Sequence, residues 1–375
     1  MPELKPTSGA SASTFARVGL PIYTLLILYA SWYPFTGWHD NGLHPLAYLF
    51  EPFPHYWTVF DVATNIIGYL PFGLLVVLAL HPRVRAAGAV PAAIAAGALL
   101  AGTLEAGQTF LPSRVPSNLD LATNVIGACL GALAGVLLAR TFLEQSRIRA
   151  LRRSWFSPEA SRGLIVLALW PLAQIYPQGY LFGHGHILPI VSTWLSDWLS
   201  TPIDLSALIR HEMEMTIEQY WLSETIITAC GLTGAVLTLL CLLGDKAPRG
   251  RLALLLIAAA LTVKAMASAL LFAPENAFTW LTPGAQGGLL IGLLMLAGLA
   301  FAPAVAQRRV AALALIVSLF TVNAVPANPY FIDTLQAWVQ GKFLNFNGAA
   351  QLLSLSWPFF TLWFLYHPVH RATQE

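Results

Sequence analysis

Long apolar runs, broken by short charged connections, dominate the chain. They start near Val18, Asp61, Ala86, Asp120, Gly163, Trp221, Arg251, Pro283, Val310 and Asn347. Runs of about 20 apolar residues are the unit that crosses a bilayer as a helix. The pattern therefore predicts an all-α, polytopic transmembrane protein of about 10 spans. A porin-like barrel would instead show alternating segments of about ten residues, and these runs are continuous. The first run ends in Trp32-Tyr33-Pro34-Phe35 with no small-residue cleavage site after it, so it reads as a retained helix rather than a signal peptide.

Within this pattern one polar motif is written twice, Asp61-Val-Ala-Thr-Asn65-Ile-Ile-Gly68 and Asp120-Leu-Ala-Thr-Asn124-Val-Ile-Gly127. Each copy opens an apolar run. Asp, Asn and Gly at i, i+4 and i+7 share one helix face, so two parallel helices could meet through the motif. An intramembrane acid costs about 2.5 to 3.5 kcal/mol on insertion scales, and one that is kept usually has a partner or a task.

Composition agrees with the pattern: 57% of the 375 residues are hydrophobic, 10% are charged, and mean hydropathy is +0.64. The net charge of +2 hides an asymmetry. Threading ten spans with both termini on one side gathers 16 of the 20 Lys and Arg there, and the positive-inside rule makes that side cytoplasmic. The opposite face carries 3 basic residues against 13 acids, which argues against a nucleic-acid partner. The Arg-rich stretch from Arg140 to Arg162 reads as an anionic-lipid or topology anchor. Cys129, Cys230 and Cys241 all fall within apolar runs, with neither a disulfide framework nor a CxxC pair.

That basic stretch divides the chain. Residues 1–145 form a four-helix membrane domain of two parallel hairpin repeats, 146–162 a cytoplasmic linker, and 163–375 a second membrane domain of about six helices. A faint third copy of the motif, Glu224-x3-Thr228-x2-Gly231, opens a run in the second half. In the outer connections, Trp194, Leu195, Trp198 and Leu199 repeat at helical spacing, and Leu205, Ile209, Met213 and Ile217 form a second stripe. Both are expected to be amphipathic helices on the outer leaflet.

The candidate chemistry lies where the third and fourth runs meet. Glu105 and Gln108 end one helix, Arg114 sits on a Pro-bracketed loop, and Asp120 opens the next helix. With Asp61, Asn65 and Asn124 they form an expected outward-facing polar site. The motifs D-x3-N-x2-G-x2-P-F-G from Asp61 to Gly73, E-x2-Q-x-F-x-P-x-R from Glu105 to Arg114 and D-x3-N-x2-G-x3-G from Asp120 resemble the VanZ-like family over roughly Val18 to Arg140. The resemblance implies a bacterial cell-envelope protein of the inner membrane, linked to glycopeptide and in particular teicoplanin resistance. The expected partners are membrane lipid and, from the depth of the polar site, a lipid-linked envelope precursor or a glycopeptide.

Several roles stay open for these residues. Asp61 and Asp120 could cap their helices, and Asn65 and Asn124 could tie helices together. As an enzyme on a lipid-phosphate precursor, the protein would use Asp61, Glu105 or Asp120 as catalytic acid or base, with Arg114 gripping a phosphate. As a proton-coupled transporter it would use the same acids, with Lys264 as an internal counter-charge or a snorkelling side chain. Asn65, Gln108, Arg114 and Asn124 are the expected ligand contacts. His184, His186, His211, Glu214 and Glu218 invite a metal reading, but their spacing lacks H-E-x-x-H and a solvated helix face explains the last three. No cofactor and no metal are expected.

Overall fold

The computed structural model describes residues 13–84, 86–139, 154–157, 160–210, 215–272, 274–325 and 344–367. The chain forms two compact units, Met1–Arg153 and Ser154–Glu375. Among the described residues helices are joined by turns and loops, with one isolated bridge between Phe156 and Leu243. Most of the basic stretch between the units lies outside the described residues.

The first unit contains α1 (Thr14–Trp32), α2 (Val59–Leu80), α3 (Ala86–Gln108) and α4 (Asn118–Leu138). Local chemistry sets their starts. The Ser13 hydroxyl accepts from the Ala16 amide, Thr58 and Asp61 form a reciprocal capping box, and the Ser117 hydroxyl accepts from the amides of Leu119 and Asp120. Each cap satisfies donors that a helix start leaves without intrahelical partners.

The two motif helices, α2 and α4, lie parallel and in direct contact. A stripe of Gly127, Gly131 and Gly135 on α4 faces the carbonyls of Ile66, Leu70 and Leu74 on α2, and Gly73 faces Ala128 in return. A methyl group at Gly73, Gly127 or Gly131 would run into the opposing carbonyl oxygen. Small residues at four-residue spacing let membrane helices approach at backbone distance, and this stripe does so. Around it, Phe72, Val76, Val77 and Leu104 pack with Ala89, Ala93, Ala101, Ala128 and Ala132.

The second unit contains α5 (Ala160–Ala173), α6 (Leu188–Leu199), α7 (Leu205–Arg210), α8 (Ile217–Leu240), α9 (Arg249–Leu271), α10 (Pro283–Leu299), α11 (Ala304–Ala324) and α12 (Leu344–Tyr366). The most enclosed helix is α8, with Thr228, Thr233 and Thr238 fully buried and α10 and α11 packed on it. Here again glycines set the distance: Gly284, Gly288 and Gly292 on α10 face Glu224, Thr228 and Ala229 on α8.

All ten predicted runs fall in helices. Seven of these helices are long and apolar enough to cross a membrane. Two others are shorter: α5 has 14 residues and α10 has 17. After Ala173 the chain leaves the helix, yet residues 180–185 stay buried. The predicted outer amphipathic helices are realised differently from one another. Trp194 and Trp198 are exposed on α6, 69% and 80% respectively. The stripe from Leu205 to Ile217 is not one described helix. It ends as α7 at Arg210, residues 211–214 lie outside the described residues, and Thr216 and Gln219 close a new capping box that starts α8.

Candidate functional site

The parallel packing of α2 and α4 brings the second turn of one against the first turn of the other. Asn65 donates from Nδ2 to Asp120 Oδ1 at 2.9 Å, an interhelical bond inside the repeated motif. The reverse bond is absent. Asp61 is exposed and accepts from the Thr58 amide at 3.1 Å and its hydroxyl at 2.7 Å, whereas Asn124 is buried with Oδ1 unpartnered. Identical motif positions therefore have different environments.

Glu105, on the last turn of α3, is 4% exposed, and its Oε2 accepts from the Ser117 amide at 2.8 Å. Ser117 thus fastens the start of α4 to the end of α3 through its amide and caps α4 through its hydroxyl. Gln108 donates to the Ser31 carbonyl at 3.3 Å, and Arg114 donates from Nη2 to the Tyr33 carbonyl. Both bonds hold the 109–117 connection against the end of α1. No ion pair closes between Arg114 and Glu105 among the described residues. Burial pushes the Arg114 guanidinium below its usual range, and the negative charge of Glu105 opposes that shift.

Of the predicted residues, Asn65, Glu105, Asp120, Asn124 and Arg114 gather at this end of the unit. Asp61 stands at the edge, with its charge within reach of Asp120. Gln108 faces the backbone of α1. Two tyrosines join them without having been expected. Tyr69 lies one turn beyond Asn65, and its buried hydroxyl is unpartnered. Tyr48, in the turn Ala47–Leu49, donates to the Gly102 carbonyl at 3.2 Å; burial and the charge of Glu105 together raise its pKa. The i+4 relation to Asn65 could have flagged Tyr69, since both lie on one helix face. Nothing in the sequence around Tyr48 marks it.

The buried atoms left without partners here are Tyr69 Oη, Arg114 Nε, Asn118 Oδ1 and Asn124 Oδ1. Native interiors pair nearly all such groups, so a cluster of them points to a bound polar molecule or water. Carboxylates accept from hydroxyl or ammonium groups and the guanidinium donates to oxygen, so the arrangement could pair with both donors and acceptors of a polar molecule.

The other candidates lie in the second unit. Glu224 is buried and hydrogen-bonds the Thr282 side chain, Thr228 donates to the Leu181 carbonyl at 3.1 Å, and Gly231 faces Phe182, so the third motif copy is turned to packing. His184 is enclosed by glutamines. His211 and Glu214 lie outside the described residues, and Glu218 is exposed on the first turn of α8. Among the described residues no three metal-ligating side chains converge.

No curated protein and no solved structure matches the chain. The family model described as VanZ/LLP1 matches residues 20–140, the segment that builds this site, and the first part of the chain is VanZ-like.

Proposed function

We propose that this is a ten-span protein of the bacterial inner membrane, with both termini cytoplasmic. Its VanZ-like unit binds the head group of a lipid-linked glycan at the outer leaflet. The observation that carries the reading is the cluster of buried, unpartnered polar atoms beside Glu105 and Asp120. A free phosphate alone suits the site poorly, because carboxylates outnumber the single guanidinium. Sugar hydroxyls would donate to Asp120 and Glu105 while Arg114 takes the linking phosphate. A protein that holds such a precursor would act in envelope assembly or in resistance to glycopeptides such as teicoplanin.

The test is binding of undecaprenyl-phosphate hexose and of bare undecaprenyl phosphate to the purified chain in detergent, with thermal stability measured in parallel. Wild type should hold the sugar-bearing lipid more tightly. Glu105→Gln, Asp120→Asn and Arg114→Gln should each weaken it about tenfold, the worth of one charge-assisted hydrogen bond. Equal binding by all three folded variants would sink the reading. In cells, expression should raise the teicoplanin concentration a sensitive host survives, and Asp120→Asn should not.

A further inference from the structure

The second unit carries its own buried polar cluster, remote in sequence from the VanZ-like segment. Helix α5 stops at Ala173, and the chain continues through a buried, non-helical connection before α6. On this stretch Gln174 and His184 are both buried, 0% and 3% exposed. Gln174 Nε2 lies 2.6 Å from His184 Nε2, and Gln178 Nε2 lies 2.6 Å from His184 Nδ1 and within hydrogen-bond distance of Ser354 Oγ on α12.

A neutral imidazole offers one N–H and one lone pair, so two amide N–H groups cannot both serve it. Gln174 also donates to the Trp170 carbonyl at 3.1 Å, which fixes its amide as a donor on this side. Turning the Gln178 amide resolves the conflict and gives up only a long contact, 3.4 Å from Gln178 Nε2 to the Ala173 carbonyl. Its carbonyl then accepts from His184 Nδ1–H and from the Ser354 hydroxyl, while His184 Nε2 accepts from Gln174. Without that turn, the side-chain carbonyls of both glutamines are buried and unpartnered.

The groups left over are mostly donors. They are the freed N–H2 of Gln178, the buried and unpartnered indole N–H of Trp170 and the ammonium of Lys264, against one acceptor, the side-chain carbonyl of Gln174. Lys264, on α9, is 3% exposed, so it does not snorkel to the surface, and it has no hydrogen bond or ion pair among the described residues. Its charge reaches His184. A buried acid of the unit, Glu224, is engaged with Thr282. An unpaired ammonium within a membrane helix is costly, and an anion is the complement that a surplus of N–H donors would take.

We propose that the second unit holds a buried anion site, in which Lys264, Gln178 and Trp170 take a small oxyanion, a carboxylate or a phosphate group. The Gln174–His184–Ser354 network fixes the geometry of the site and binds nothing itself. The shared chemistry has two sources, a soluble anion and the head group of an anionic lipid.

The test follows the thermal midpoint of the full chain in detergent. Acetate and inorganic phosphate replace chloride at constant ionic strength, and separately phosphatidylglycerol replaces phosphatidylcholine in mixed micelles. Wild type should show a saturable rise in one arm, and the arm that responds names the source. Lys264→Arg should keep the rise. Lys264→Met should weaken half-saturation about tenfold or more, as expected for loss of a charge-assisted bond. Gln178→Glu, which supplies its own carboxylate within the proposed site, should be as stable as wild type and no longer respond. Should Lys264→Met fail to fold, Gln178→Glu decides. Absence of a saturable rise in wild type, or one that survives in Gln178→Glu, overturns the proposal. Arg114→Gln should leave the rise intact, which separates this site from that of the VanZ-like unit.

Discussion

Asn65 and Asp120 hold α2 to α4 through a 2.9 Å hydrogen bond between one copy of the repeated motif and the other. A double-mutant cycle of Asn65→Ala and Asp120→Ala should return a coupling of about 0.6 to 1.7 kcal/mol, the span measured for interhelical bonds in membranes. The sequence-equivalent pair, Asn124 and Asp61, makes no such bond and should give a coupling near zero. Equal couplings from both cycles would contradict the asymmetry.

The glycines of the motif divide in the same way. Gly127 faces the Ile66 carbonyl so closely that a methyl group cannot enter, whereas nothing lies within 4 Å of the position a Gly68 methyl would take. Gly127→Ala should therefore cost about 1 to 3 kcal/mol through overpacking. Gly68→Ala should be neutral or slightly stabilising, since alanine is the better helix former. Thermal unfolding of both variants in one detergent compares them directly.

Thr58 closes the capping box with Asp61 at the start of α2. Thr58→Val should lower stability by about 1 kcal/mol, the usual value of a lost cap. It should leave ligand binding at the VanZ-like site unchanged. A large loss of binding in the folded variant would give Asp61 a part in the site beyond its cap.

Burial, with the charge of Lys264 second, pushes His184 down from the usual 6.5 to about 3. The folded state thus holds the ring neutral, and the unfolded state takes up a proton as pH falls through 6.5. Stability is complete above that value and declines below it, by at most about 1.4 kcal/mol per pH unit for one proton. Midpoints recorded from pH 8 to pH 5 should fall for wild type and flatten for His184→Gln. Parallel slopes would mean that other groups govern the acid response.

The sequence carried the site of the first unit further than that of the second, and the reason is physical. A repeated Asp-x3-Asn-x2-Gly face predicts where two parallel helices touch, because side-chain spacing on a helix is fixed by its geometry. Glu105 and Arg114 were legible as chemistry, being costly residues near the ends of apolar runs. Their partners were not. Glu105 binds the Ser117 amide and Arg114 the Tyr33 carbonyl, and backbone groups leave no trace in residue identity. His184 and His186 invited a metal reading that their spacing did not support, and nothing in the spacing pointed to the contacts His184 makes, Gln174, Gln178 and the distant Ser354. Only the folded path of the 174–187 connection brings these together. The apolar helices were clear from hydropathy, while the early end of α5 was hidden inside an apolar run that continues past it.

The unequal fates of Asp61 and Asp120 bear on stoichiometry. A tandem duplication ordinarily suggests two equivalent seats. Here one acid is turned outward to finish its own helix and the other is drawn between helices beside Glu105, so the repeat in sequence is not a repeat in side-chain environment. On the proposed reading the VanZ-like unit offers a single, polar-sided seat, and a ligand that fits it should saturate at one molecule per chain.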